Sequence, residues 1–152
     1  KATIDLESLR KETGEYLNNE TLFHGTIYEN IELGRGVSKE DIFKILEDLN
    51  LDSYIKALPD GMDTYIGAGG ISLPKSVVQK VIISRLVCVK PKLLLLEDPL
   101  QYLDREDRKL VIDYLTSEDN KWTLIAVSND KYLARHCDQV VIITDGKIEK
   151  NS

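Results

Sequence analysis

The part of the chain before Pro74 carries apolar side chains at the spacing of short amphipathic helices. The clearest predicted helix begins after Ser38, because Ser38 and Asp41 form a capping-box pattern. Its apolar face consists of Ile42, Ile45, Leu46 and Leu49. The surrounding pattern predicts helices over 5–12 and 52–58, a strand at 16–17 and a helical turn at 22–23.

From Pro74 to Val89 the sequence is apolar on nearly every face, which predicts a largely buried helix with Pro74 in its first turn. The runs 93–96, 123–127 and 139–144 are too short for buried helices and predict parallel strands buried on both faces. A helix over 105–116, capped by Asp104, is predicted to bury Leu110, Val111, Tyr114 and Leu115. Asp145 and Gly146 then predict a hairpin whose second strand is 147–149.

This order of elements predicts an α/β layered fold in the C-terminal half, preceded by a mostly helical insertion. The length of 152 residues suits one domain. A net charge of -6 without a cluster of Lys and Arg argues against nucleic acid as a partner. Cys88 and Cys137 lack metal-like spacing, and no apolar run is long enough to span a bilayer.

Three blocks of the sequence match motifs of a known family. They are 21–31 (TLFHGTIYENI), 58–67 (LPDGMDTYIG) followed by Gly69 and Gly70, and 91–99 (PKLLLLEDP) with Leu103 and Asp104. In this order they resemble three segments of exporter-type ABC transporters: the segment after the Q-loop, the approach to the signature motif, and the Walker B strand with the D-loop. Residues 138–148 resemble the closing strands, so the resemblance covers nearly the whole chain.

The resemblance implies a partial P-loop NTPase-type (RecA-like) α/β fold, with a mostly parallel sheet and a helical subdomain insertion. It implies one partial nucleotide-binding domain over 1–152, with a Q-loop region (1–20), a helical subdomain and signature helix (21–90), and Walker B and C-terminal strands (91–152). No Walker A motif is present, because the only Gly-Lys pair, Gly146-Lys147, lacks the flanking pattern. We therefore expect the C-terminal two-thirds of such a domain, from a longer transporter subunit.

The signature motif of the family departs most from the expected pattern. A Ser-Gly-Gly-Gln string there offers backbone N–H groups at a helix N-terminus to the γ-phosphate of ATP. Here the string is Pro74, Lys75, Ser76 and Val77. Proline has no N–H and the bare glycine backbone is lost, although Lys75 adds a positive charge. We expect a helix start that keeps its fold and has lost most of its phosphate affinity.

Two catalytic motifs are also altered. The Asp-Glu pair of Walker B is reversed, so Glu97 stands at the Mg²⁺ position and Asp98, shorter by one methylene, at that of the catalytic base. An alternative interpretation is that this carboxylate pair only caps the following loop. Asn129 stands at the position of the switch histidine, where it remains neutral at every pH.

Two further nucleotide-binding positions have structural alternatives. Asn18 aligns with the Q-loop glutamine and is shorter by one methylene, and a polar surface loop is the favoured alternative for it. The D-loop Ser-Ala-Leu-Asp has become Gln101, Tyr102, Leu103 and Asp104, so only the leucine and the aspartate remain. Asp104 is also the predicted helix cap.

The resemblance implies a subunit that uses ATP and Mg²⁺ in the intact transporter, on the cytoplasmic side of the membrane, with no nucleotide expected on this chain alone. Its implied partners are a second nucleotide-binding domain and a transmembrane domain. The altered motifs favour a catalytically degenerate half; whether the chain is an enzyme stays open. Alternatives are a non-catalytic interaction module that retains the fold and, with least support, an active ATPase. An uncovered sheet edge also predicts self-association or a rearranged sheet.

Overall fold

The computed structural model describes residues 5–17, 20–67 and 71–149. Seven helices and seven strands lie in these ranges, together with a 3₁₀ turn at Gly61–Asp63. The helices are α1 (Leu6–Glu12), α2 (Ile27–Glu32), α3 (Lys39–Asp48), α4 (Asp52–Lys56), α5 (Lys75–Val87), α6 (Arg105–Leu115) and α7 (Lys131–Arg135). The strands are β1 (Thr13–Tyr16), β2 (Gly25–Thr26), β3 (Tyr65–Ile66), β4 (Leu93–Glu97), β5 (Thr123–Val127), β6 (Ile142–Thr144) and β7 (Lys147–Glu149).

A parallel sheet of order β1-β4-β5 forms one layer of the fold. The leucine run of β4 lies in its centre, with Leu93 opposite Thr13 on one side and Thr123 on the other. Because successive strand residues face opposite sides, Leu94 and Leu96 point into the core while the alternate leucines are only half-buried. The predicted α/β fold is therefore confirmed.

Helix α5 lies between two hydrophobic clusters. On the sheet side its residues Ile82, Ile83, Leu86 and Val87 pack with β1, β4 and α6. On the other side Val77, Val81 and Cys88 pack with α2, α3 and α4. The prediction of a largely buried helix is confirmed, with Pro74 as its N-cap residue. Burial also raises the pKa of the Cys88 thiol.

Helix ends follow the capping chemistry of the sequence. Ser38 caps α3 by accepting a hydrogen bond from the amide of Asp41, as predicted. The helical turn predicted at 22–23 is wrong, and α2 begins only at Ile27. Thr26 and Glu29 form a full capping box there, which fixes the start of the helix after the β2 strand.

The third predicted parallel strand is also wrong. Within the described ranges β6 pairs with β7 alone, in the predicted antiparallel hairpin, and all residues of both strands are exposed. β5 is an edge strand whose outward residues Ile125 and Val127 are 55% and 67% exposed, so it is not buried on both faces. A strand is buried on both faces only when elements cover both, and the described residues cover one.

Helix α6 presents a slightly different face from the predicted one. Val111, Ile112 and Leu115 are buried, whereas Leu110 and Tyr114 are half-buried.

None of the helices in the described ranges combines the length and the apolar character needed to cross a bilayer.

The sheet core gives a direct test of this packing. Leu94 is fully buried, so Leu94→Ala is expected to lower the free energy of unfolding by about 2–5 kcal/mol. Its neighbour Leu95 lies on the half-covered face, and Leu95→Ala is expected to cost about 1 kcal/mol. Urea denaturation of both variants measures the difference, and equal losses would contradict the sheet orientation.

Candidate functional site

The start of α5 has no side-chain cap. Pro74 is the N-cap residue and makes no side-chain hydrogen bond to the helix, while its carbonyl accepts from the amide of Val78 at 2.9 Å. Lys75 is exposed, Ser76 is half-buried, and the side chain of Val77 points into the helical cluster with 8% exposure. Val77 therefore serves packing, and Lys75 is the cation closest to the helix start.

The loop after β4 packs on this helix start. The Lys75 ammonium lies 4.9 Å from the centre of the Tyr102 ring. One turn further along α5, Gln79 Oε1 accepts a hydrogen bond from the Tyr102 amide, and its Nε2 donates to the Tyr16 hydroxyl, both at 3.1 Å. Burial raises the pKa of the Tyr16 phenol. The signature-like and D-loop-like segments are thus brought into contact.

The two candidate catalytic positions line one open groove. Asp98 follows β4 and Asn129 follows β5, and parallel strands end at the same edge of a sheet. Asp98 adopts a left-handed backbone (φ 44°), and its amide donates to the carbonyl of Val127 at 2.9 Å. Non-glycine residues adopt this conformation at an energetic cost. The groove is lined by Asp98, Leu100, Gln101, Arg108, Ser128, Asn129, Asp130 and Lys131.

Glu97 is separate from this groove, whose lining residues do not include it. It is the last residue of β4, it is exposed, and it lies opposite Val127 in the sheet register. Among the described residues no group of three or more His, Cys, Asp or Glu side chains could hold a metal ion. Mg²⁺ takes only one or two protein carboxylates when phosphate oxygens and waters complete its shell. Glu97 fits that limited role.

Asn129 has cationic neighbours although it is itself neutral. Arg108 Nη1 lies 3.6 Å from Asp130 Oδ2, and the Arg108 side chain is 41% exposed. Asp130 in turn caps α7 by accepting from the amides of Tyr132 and Leu133. The Asp130 side chain is only 14% exposed, so this ion pair is half-buried and not fully solvated. The groove therefore combines two carboxylates, an asparagine and two cations without a histidine.

Asp104 is the N-cap of α6, as predicted. Its Oδ1 accepts a hydrogen bond from the amide of Asp107 at 2.8 Å, and its carbonyl accepts from the amide of Arg108 at 2.9 Å. Asp104 therefore has a complete structural role as a helix cap, and this role requires no bound ligand. Asn18 lies outside the described residues.

Two polar anchors of α5 were missed by the sequence interpretation. Lys80 is 4% exposed and pairs with Asp107 at 2.6 Å. Arg85 donates from Nε to the carbonyl of Asn30 at 2.7 Å and from Nη2 to its side-chain Oδ1 at 3.2 Å. Asn30 also accepts from the amide of Phe23, so this contact fixes the segment before α2. The sequence did contain a signal for these contacts, because a charged side chain inside a buried helix requires a partner.

Comparison with known proteins identifies the family. No family model matches the chain. "ABC transporter B family member 14" of Arabidopsis thaliana is 34% identical over 148 residues, which are 97% of this chain and 12% of that protein. "Uncharacterized ABC transporter ATP-binding protein YwjA" of Bacillus subtilis (strain 168) is 31% identical over 97% of this chain and 26% of that protein. A solved bacterial Atm1-family ABC exporter with ATP bound superposes with a TM-score of 0.85 at 25% identity, covering 95% of this chain and 26% of that one.

The chain belongs to the ABC transporter family. It corresponds to part of the nucleotide-binding domain of an exporter, and it spans only 12% and 26% of the two relatives' lengths. Its α/β fold with a parallel sheet and added helices is that of an exporter nucleotide-binding domain.

In this ABC transporter chain six of the altered positions form two groups, and Glu97 lies apart from both. Pro74, Lys75, Ser76 and Val77 form the start of α5, and Asp98 and Asn129 line the groove at the sheet edge. The start of α5 differs from a glycine-rich phosphate-binding turn in two ways. Its N-cap residue has no N–H, and a buried valine side chain occupies one of the positions of the motif.

The cap role of Asp104 can be separated from a charge role. Asp104→Ala is expected to lower the free energy of unfolding by about 0.5–2 kcal/mol, because the amide of Asp107 loses its acceptor. Asp104→Asn keeps an acceptor oxygen and is expected to stay within about 0.5 kcal/mol of the parent chain. Thermal unfolding compares the variants. A loss in Asp104→Asn as large as that in Asp104→Ala would show that the charge matters more than the cap.

Proposed function

We propose that this chain is part of the nucleotide-binding domain of an ABC exporter and that its nucleotide-facing elements are catalytically degenerate. In this proposal it pairs with a second nucleotide-binding domain and transmits motion to a transmembrane domain on the cytoplasmic side of the membrane. The observation that carries the proposal is the start of α5, where Pro74 is the N-cap residue and Lys75 faces the ring of Tyr102.

Phosphate capture at a helix N-terminus depends on free N–H groups and close approach of the backbone. Pro74 contributes no N–H, and Lys75 and Ser76 carry side chains where the motif has glycine. The amides of Lys75, Ser76 and Val77 remain and Lys75 adds a positive charge, but the side chains at these positions oppose the close approach of a phosphate to the backbone. The start of α5 therefore supports weak phosphate binding at most.

The groove at the sheet edge supports the same proposal. Asp98 carries the shorter carboxylate at the catalytic-base position, and Asn129 cannot supply the positive charge of a histidine. A displacement of about 1 Å at a reacting group can cost about 100-fold in rate. Both changes reduce water activation, so we expect this half of a transporter to contribute little turnover.

In the intact transporter we propose that ATP binds together with Mg²⁺, which would supply charge neutralisation at the phosphates. Glu97 would be the metal-facing carboxylate of this chain, because it is exposed at the end of β4. We propose that four further positions of this chain face the nucleotide: Asp98, Asn129, Asn18 and Asp104.

Restoration of the motif tests this proposal. In the full-length transporter that contains this chain, the combined variant Pro74→Ser, Lys75→Gly and Ser76→Gly is expected to tighten Mg-ATP binding at the composite site about 10- to 100-fold. That range is the effect of one regained hydrogen bond to a charged group. Titration with a fluorescent ATP analogue measures the change, and Val77 is left unchanged because it packs in the core.

Ser72→Gly is the matched control, because it adds a glycine before Pro74 without restoring the motif. It is expected to leave the affinity unchanged. Equal, tight binding by the parent and the restored variant would contradict the degenerate assignment. A full-length protein without transmembrane segments and without any nucleotide effect would instead favour the non-catalytic interaction module.

We also propose that this chain self-associates when studied alone. β5 is an edge strand of the sheet, and Ile125 and Val127 expose apolar surface beside its edge. An edge strand with unpaired N–H and C=O groups recruits other strands, and exposed apolar patches favour association.

Sedimentation velocity tests this proposal. The parent chain is expected to sediment as a dimer or larger species. The variant Ile125→Lys with Val127→Lys is expected to be mainly monomeric, because the added charges oppose burial of this face. Leu33→Lys, at an exposed apolar residue that precedes α3, is the control and is expected to sediment like the parent. A monomeric parent chain would refute the proposal.

A further inference from the structure

The loop after β4 is attached to α5 by two side chains one helical turn apart. Gln79 is 1% exposed, and its two amide atoms bond to different elements, Oε1 to the Tyr102 amide and Nε2 to the Tyr16 hydroxyl. Lys75 places its ammonium over the Tyr102 ring at 4.9 Å. We propose that Gln79 and Lys75 are positioning residues, which clamp loop 99–104 to the start of α5 and to the end of β1.

The orientation of the Gln79 amide follows from its partners. The backbone N–H of Tyr102 can only donate, so the oxygen of Gln79 must face it. The NH₂ group then faces Tyr16, whose hydroxyl can accept. A buried glutamine satisfied at both ends resists rotation, since any flip leaves buried polar groups without partners.

The Lys75–Tyr102 contact joins two residues that both differ from the ABC exporter motifs. The signature motif has glycine at the position of Lys75, and the D-loop has alanine at the position of Tyr102. Glycine and alanine cannot form an ammonium–ring contact. In this chain both positions carry long side chains, and the two side chains meet. The altered helix start has thus gained a contact with the loop that its motif counterpart lacks.

The clamp has a mechanical consequence. Gln79 links loop 99–104 to α5 and to the end of β1, so these three parts of the chain move together. The loop at the sheet edge and the start of α5 therefore present one fixed surface. This inference concerns the chain itself and is independent of the proposed function, because it requires neither nucleotide nor a partner domain.

Amide hydrogen exchange of Tyr102, measured by NMR in the 152-residue chain, tests the clamp. In Gln79→Leu the amide is expected to exchange about tenfold faster, because its buried acceptor is lost. Lys75→Met removes an exposed cation–ring contact and is expected to accelerate exchange about two- to fivefold. The amides of Ile82 and Ile83 inside α5 are expected to keep their rates, which distinguishes local release from global unfolding.

Tyr102→Phe is the matched control. It keeps both the ring and the backbone amide, so its Tyr102-position amide is expected to exchange at the rate of the parent.

Should Gln79→Leu fail to fold, Lys75→Met and Tyr16→Phe decide whether the clamp exists. Tyr16→Phe removes the hydroxyl acceptor and is expected to speed exchange of both the Gln79 side-chain amide and the Tyr102 amide. A Tyr102 amide that is unprotected in the parent, or whose rate is unchanged in Lys75→Met and in Tyr16→Phe, overturns the clamp.

Discussion

Helix α5 is buried against neighbours on both sides, and this burial decides how the elements around it are held. The helix packs against the sheet on one side and against the helical cluster on the other, so each polar side chain along it must find a partner inside the protein. Gln79 bonds to the loop after β4, Lys80 to α6, and Arg85 to Asn30 in α2. Three polar residues on one buried helix thereby hold that loop, α6 and α2 in place around it.

The same burial explains why the start of α5 could change without loss of the fold. Its packing begins at Val77, whose side chain lies in the helical cluster, whereas Pro74 and Lys75 lie on the surface. Residues at the surface of a helix start determine what the helix binds, and residues one turn later determine how it packs. This chain therefore keeps its α/β architecture with proline and lysine at the start of α5.

Sequence patterns predicted the elements whose signals are local. Ser38 and Asp104 were identified as caps because capping depends on neighbouring residues, and the Asp145-Gly146 hairpin follows from turn geometry. The placement of β6 outside the parallel sheet could not be predicted, because an apolar run does not specify its pairing partner. For the site, motif positions supplied candidate residues whose roles stay predictions. They did not indicate that Lys75 meets Tyr102 or that Arg85 bonds to Asn30, since these contacts join distant parts of the chain.

We propose that the first turn of α5 does not hold the phosphates of ATP. The most direct measurement is the chemical shift of the Lys75, Ser76 and Val77 amides in the assembled full-length transporter during a titration with Mg-ATP. The account predicts that these three amides keep their shifts while nucleotide binds elsewhere in the assembly. Saturable shifts of these amides, with the affinity of the bound nucleotide, would contradict it.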